Sequence, residues 1–194
     1  MFIQDTEILY IENFLSDDEM AYIDGIIAEH QDKIDNMIAT NKDSDHTSSN
    51  EQTRDLRLYR KGEDPFNEVF ENINVRAKNL ILENFDVKNV ALNPVHNVHV
   101  LYPPFLLEEH YDGQNKATDQ NGNTVSISHG VVIYLSDPND YTGGDLVYKK
   151  LGLRLRPTKG SIILHPGSEK YFHGVEAVTS GVRFNISMFA HEID

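Results

Sequence analysis

The residues of this chain best placed to do chemistry are His110-Tyr111-Asp112, then His173, 63 positions after His110, and Arg183, ten positions further on. Two histidines and one carboxylate in this order suit one face of a ferrous ion and leave other coordination positions open. An arginine apart from them suits a co-substrate carboxylate, because its planar fork matches that group. The pattern implies an iron-dependent oxygenase.

His-x-Asp occurs twice, and geometry separates the two copies. Residues i and i+2 of an extended strand point to one face, whereas on a helix they diverge by about 200°. His30-Gln31-Asp32 falls inside a helical pattern and reads as solvated surface. His110 and Asp112 end an extended stretch, where both side chains can converge. Among the histidines downstream, only His173 has a basic residue nine to eleven positions later. His165 is the main rival ligand and lacks that partner. His96 and His99, three apart on a strand, face opposite ways and read as structural or supporting residues; His129 and His191 read as non-ligands.

These residues need a scaffold, and from about residue 88 the pattern is β. Candidate strands are 96–102, 128–136, 145–149, 151–156, 160–165, 172–178 and 182–190, separated by turn residues. In the last of them Val182, Phe184, Ile186 and Met188 share one face, while Arg183, Asn185 and Ser187 share the other. Val131, Ile133 and Leu135 likewise oppose Tyr134 and Ser136. One face is therefore apolar and covered, and the other lines a polar cavity, which is costly unless filled. A turn at Thr179-Ser180-Gly181 is expected to pair the strand of His173 with that of Arg183. The two would then lie about three residues, or roughly 10 Å, apart, which suits a short dicarboxylate. Asp137-Pro138-Asn139-Asp140 and Gly143-Gly144 read as turn chemistry.

The covering layer comes from the N-terminal part. Ile8 to Phe14 reads as a strand, and Ser16-Asp17-Asp18-Glu19 as a capping box opening a helix. Met20, Ile23, Ile27, Ile34 and Ile38 carry its apolar stripe to the end. Residues 40 to 55 form a polar connection, and a second helix is expected from Asp64-Pro65, with Phe66, Val69, Phe70, Ile73, Ala77, Leu80 and Ile81 on its apolar face. The expected fold is mainly β: a double-stranded β-helix (jelly-roll) barrel with N-terminal helices against the outer face of one sheet. It reads as a single domain over 1–194, with 1–90 as helical support and 91–194 as catalytic core.

Bulk properties bound the partners. With 17 basic and 31 acidic side chains the formal net charge is −14, which argues against nucleic acid as a partner. The absence of cysteine excludes disulfides and thiolate metal sites. Met1 to Tyr10 has neither a basic segment nor a long apolar run, so no signal peptide is read and a cytoplasmic location is expected. No stretch approaches the roughly 20 apolar residues of a membrane span. Oligomeric state is not legible.

Three segments carry a family resemblance: VIYLSDPNDYTGGDLV (132–147), PTKGSIILHP (157–166) and YFHGVEAVTSGVR (171–183). They resemble the 2-oxoglutarate and Fe(II)-dependent dioxygenase superfamily, in its prolyl 4-hydroxylase-like branch, and especially the PKHD-type hydroxylases. The resemblance covers about residues 96 to 190; the first 90 match only in being helical. It implies His110, Asp112 and His173 as iron ligands and Arg183 as anchor of the distal 2-oxoglutarate carboxylate. It also implies Tyr134 as a second contact to that carboxylate and Tyr102 as another co-substrate-lining tyrosine. Asn185 stands where many relatives have Ser or Thr, and Ser187 is read as supplying that hydroxyl. Residues 113 to 127 form a longer polar loop than a minimal barrel needs, suited to a lid or substrate reader.

The activity so implied is hydroxylation of a C–H bond, on a prolyl residue of a protein or peptide, with succinate and CO2 released and ascorbate as reductant. Two alternatives stand beside it: the same chemistry on a free amino acid or other small molecule, and a catalytically silent jelly-roll binding or structural protein.

Overall fold

The computed structural model describes residues 1–40, 55–57, 68–93, 97–118 and 122–193. In chain order its elements are β1 (Leu9–Ile11), α1 (Asp17–Glu29), α2 (Gln31–Thr40), β2 (Asp55–Arg57), α3 (Glu68–Asn84), β3 (Val90–Leu92), β4 (Asn97–Leu101), β5 (Leu107–His110), β6 (Lys116–Thr118), β7 (Thr124–Ser126), β8 (His129–Tyr134), β9 (Tyr141–Gly143), β10 (Leu146–Tyr148), β11 (Leu153–Leu155), β12 (Ile162–Pro166), β13 (His173–Val175), β14 (Val178–Gly181) and β15 (Arg183–Glu192). A major sheet runs β1-β12-β8-β15-β4-β2, with β3 also on β15; a minor sheet runs β11-β10-β13-β5. Two short ribbons, β14 with β9 and β6 with β7, complete the jelly roll.

Alternation along the strands decides what each sheet faces. Val131, Ile133, Ile162, Leu164, Ile186 and Met188 of the major sheet are buried against Ile23, Ile26 and Ile34 of α1 and α2 and Phe70, Ile73, Ala77 and Ile81 of α3. Burying each such side chain contributes about 1.5–3 kcal/mol relative to leaving it in water. The helices therefore hold the major sheet from outside, as the apolar stripes predict. The opposite parity of β15, carrying Arg183, Asn185 and Ser187, lines an internal cavity.

The helical layer differs from expectation in one respect. The capping box forms, with Ser16 Oγ accepting from Glu19 N–H at 3.2 Å and Glu19 Oε2 accepting from Ser16 N–H at 2.8 Å. Yet the single helix read to Ile38 is two, interrupted at His30, whose φ of −107° and ψ of 13° leave helical geometry. The His30 ring donates from Nδ1 to the Ile26 carbonyl at 2.9 Å, closing the end of α1. The stripe survives the break, since Ile34 and Met37 remain buried. The connection 40–55 and the start at Asp64-Pro65 fall almost wholly outside the described residues; α3 is described from Glu68.

Three β expectations are also corrected. The first strand stops at Ile11, because Asn13 takes a left-handed conformation at φ 53°. The segment 113–127 is not plain loop: its described part holds a 3-10 turn at Asp112–Gln114 and the hairpin β6–β7. The hairpin expected about Thr179-Ser180-Gly181 does not form. Instead β14 pairs with β9, and the chain crosses between sheets, so that His173 belongs to the minor sheet and Arg183 to the major one. The pair thus meets the cavity from two walls.

Candidate metal centre

Cross-strand pairing builds the centre of the site. His110, the last residue of β5, lies directly opposite His173, the first of β13, and their ring centroids are 4.5 Å apart. Tyr111 stays extended (φ −124°, ψ 140°), so Asp112, opening the 3-10 turn, points to the same side as His110. The three residues offer ligand atoms all within 4.8 Å of one another. Backbone contacts hold that turn: Gly113 N–H donates to the Gly167 carbonyl at 2.8 Å, and a Cβ at Gly113 would come within 2.6 Å of that oxygen.

The protons are arranged for coordination. His110 Nδ1 lies 2.9 Å from the Glu108 carbonyl and His173 Nδ1 2.9 Å from the Tyr171 carbonyl. A carbonyl only accepts, so both Nδ1 atoms carry the proton and both Nε2 atoms present a lone pair in the neutral ring. Those Nε2 atoms face Asp112 Oδ1 at 3.5 and 3.9 Å. Burial pushes His173 down to about 4, with His165 adding to the shift and Asp112 opposing it, so its lone pair is available at neutral pH. Burial would raise Asp112, but the surrounding imidazoles of His110, His165 and His173 hold it below the usual carboxylate range. Two imidazoles with the proton held on Nδ1 and one carboxylate, each oriented by its backbone, fit a ferrous ion.

The same cavity, of about 170 Å³, holds a cationic partner for an anion. Arg183 is 2% exposed, and its Nε and Nη1 have no hydrogen-bond partner among the described residues. Its guanidinium sits 5.1 Å from the Tyr134 ring, and the Tyr134 hydroxyl is likewise buried and unpartnered. Burial pushes the Tyr134 phenol up to about 12 against the pull of Arg183, so it stays protonated and can donate. A buried charge with unused donors is costly in isolation and fits an anionic ligand. The glycine pair contributes here as well: Gly144, at φ 69°, would bring a Cβ within 3.4 Å of Arg183 Cδ, so the arginine stem runs against bare backbone.

Of the residues expected at the site, His110, Asp112, His173, Arg183, Tyr134 and Ser187 all line this cavity. Ser187 Oγ accepts from Asn185 Nδ2 at 3.1 Å. Tyr102 does not belong to the cavity. It follows Val98 and Val100 onto the helix-covered face, where its hydroxyl lies 3.3 Å from the Met37 carbonyl. The alternation of β4 could have shown this, since His99 and Leu101 are the residues that face inward. His96 lies outside the described residues. His165, read as a rival ligand, is buried in the same cavity with Nε2 3.7 Å from Asp112 Oδ2.

Residues 95–191 match the model of the 2OG-Fe(II) oxygenase superfamily. A PKHD-type hydroxylase of Crocosphaera subtropica is 27% identical over 126 residues, 62% of this chain and 52% of that protein. Another, from a Caulobacter species, is 36% identical over 77 residues, 39% of this chain and 33% of that protein. The chain thus matches about half the length of the first relative and a third of the second. In fold it is similar to the viral collagen prolyl hydroxylase of Paramecium Bursaria Chlorella virus-1, solved as its 2OG complex, with TM-score 0.67, 17% identity and 98% of each chain covered. It is also similar to a Trichoplax adhaerens prolyl hydroxylase in complex with a hypoxia inducible factor peptide fragment, with TM-score 0.59, 15% identity, and 97% and 84% covered.

Proposed function

This chain belongs to the 2OG-Fe(II) oxygenase superfamily, and on that premise we propose that it hydroxylates a prolyl residue of a protein or peptide. The observation that carries the reading is one cavity holding both the His110–Asp112–His173 cluster and the buried, part-unpartnered guanidinium of Arg183. In this reading residues 1–90 support and 91–194 form the catalytic core of one oxygenase domain.

When bound, ferrous iron and 2-oxoglutarate supply the oxidative chemistry, in which O2 is consumed, the keto acid leaves as succinate and CO2, and one C–H bond becomes C–OH. His110, Asp112 and His173 would hold the metal. Arg183 and the protonated Tyr134 orient the co-substrate by its far carboxylate, while Leu101, Phe105, Leu107, Leu146 and Val175 give the cavity apolar walls that exclude water. Ascorbate as sustaining reductant belongs to the same proposal. The PKHD-type relatives and the peptide-bound neighbour support a peptide substrate.

Proline-bearing peptides are expected to stimulate iron-dependent succinate release, with a gain of 16 mass units (one oxygen atom) on proline. Stimulation by free amino acids and by no peptide of a broad panel would overturn the prolyl-peptide reading.

The two tyrosines give a sharper internal test. Tyr134→Phe removes a donor to a charged carboxylate, about 1.5 kcal/mol or more, so the 2-oxoglutarate KM is expected to rise roughly tenfold. Tyr102→Phe is expected to leave that KM unchanged, since its hydroxyl lies against the Met37 carbonyl on the helix-covered face. Equal KM effects from both would contradict the placement of the two rings.

A further inference from the structure

We propose that His165 is the positioning residue of Asp112: it donates a hydrogen bond from Nε2 to Oδ2 and leaves Oδ1 to face the metal. The inference rests on the ferrous reading of the His110–Asp112–His173 cluster and adds a residue to it.

The carboxylate is divided between two sets of neighbours. Oδ1 faces Nε2 of His110 at 3.5 Å and of His173 at 3.9 Å, whereas Oδ2 faces Nε2 of His165 at 3.7 Å. The last gap is about 1 Å longer than a formed charge-assisted bond, within reach of a small side-chain rotation. His165 is 1% exposed, and its ring packs 4.5 Å from that of His173 and 5.6 Å from that of Tyr148. Its ring is closed off from solvent.

The backbone opposite is shaped for this meeting. His165 on β12 pairs with Gly130 on β8, and a Cβ at Gly130 would overlap Asp112 Oδ2 and come within 2.8 Å of His165 Nε2. Only a residue without a side chain lets the carboxylate and the imidazole share that space. The Gly113–Gly167 hydrogen bond ties the Asp112 turn to the chain just beyond β12, so both partners ride on one braced piece of backbone.

Proton placement separates His165 from the other two histidines. In His110 and His173 a 2.9 Å bond to a carbonyl fixes the proton on Nδ1. In His165 the corresponding contact, to the Pro166 carbonyl, is 3.3 Å, and Nε2 faces a carboxylate oxygen instead. That 3.3 Å bond puts the proton on Nδ1 as the ring stands. The proposed move takes it to Nε2 when the ring turns to close the 3.7 Å gap, because a charged acceptor holds a proton about twice as strongly as a neutral one. Such a nitrogen has no lone pair for a metal. His165 is also absent from the group whose ligand atoms all lie within 4.8 Å of one another.

The test uses Mn(II) as probe, titrated into the full chain and its variants with the free ion followed by electron paramagnetic resonance. His165→Leu, which keeps an apolar filling beside Tyr148, is expected to weaken Mn(II) binding 10- to 100-fold, and His165→Gln, which can present an N–H to Oδ2, to stay within about threefold of the unaltered protein. Metal-free melting curves should move little for either. Leucine binding Mn(II) as tightly as histidine, or glutamine losing as much as leucine, would overturn the proposal. If the unaltered chain binds no Mn(II), the ferrous reading itself fails. A nitrogen-15 spectrum of the Zn(II)-loaded unaltered protein decides the matter even if a variant does not fold: a proton bonded to His165 Nε2 supports the proposal, and a lone pair there overturns it.

Discussion

Replacing Arg183 with methionine is expected to abolish 2-oxoglutarate binding at ordinary concentrations while leaving the ligand-free protein as stable as before, or more so. The two effects have separate origins. Truncating one partner of a buried, hydrogen-bonded charge pair costs about 2–5 kcal/mol, which is about 30-fold or more in affinity. In the ligand-free chain, however, Arg183 Nε and Nη1 are buried without partners among the described residues. An uncompensated buried charge destabilises, and an apolar side chain of similar length removes that cost. A gain of about 1 kcal/mol would appear as a melting temperature higher by roughly 2–4 °C in a chain of this size. Arg183→Lys should fall between the two, because an ammonium lacks the planar fork. Calorimetric titration of 2-oxoglutarate and a thermal melt on the same samples check both halves. A large drop in stability with unchanged KM would assign Arg183 to the core instead.

Alanine at His173 or at Asp112 is expected to bring turnover to background and to weaken ferrous binding by at least about 100-fold, the equivalent of about 2.7 kcal/mol. Each removes one of the three residues whose ligand atoms lie within 4.8 Å of one another, a group that does not include His165. Both residues are buried, His173 at 6% exposure and Asp112 at 3%. His173→Ala should nevertheless fold, because the strand pairing of β13 with β10 and β5 is backbone-made. Retention of tight metal binding by His173→Ala would remove that residue from the site.

The grouping of these residues in one cavity is legible in the sequence because it lies in spacing and parity. His110 and Asp112 two apart, with an extended Tyr111 between them, converge as strand geometry requires. Arg183, Asn185 and Ser187 share a face because β15 alternates without a break there. Tyr102 departs from expectation because β4 alternates too: Tyr102 shares the parity of Val98 and Val100, and His99 and Leu101 take the cavity side. The expected hairpin at Thr179-Ser180-Gly181 failed for a different reason. A turn signal states that the chain reverses, but not which sheet it enters; β14 found its partner in β9, and the next strand joined β8 and β4. His165 could not be assigned from sequence, since its role depends on which oxygen of a distant carboxylate it faces. The break at His30 was hidden because the apolar stripe runs on through it.

The most direct test is an anaerobic titration of Fe(II), then 2-oxoglutarate, into the unaltered protein, watched by visible absorption. One equivalent of Fe(II) should bind, and 2-oxoglutarate should then raise a new visible band. The His173→Ala protein should show no band, and Arg183→Met should need far more 2-oxoglutarate to reach it. No band in the unaltered protein, or the same band at the same concentrations in His173→Ala, would contradict a ferrous centre built from His110, Asp112 and His173.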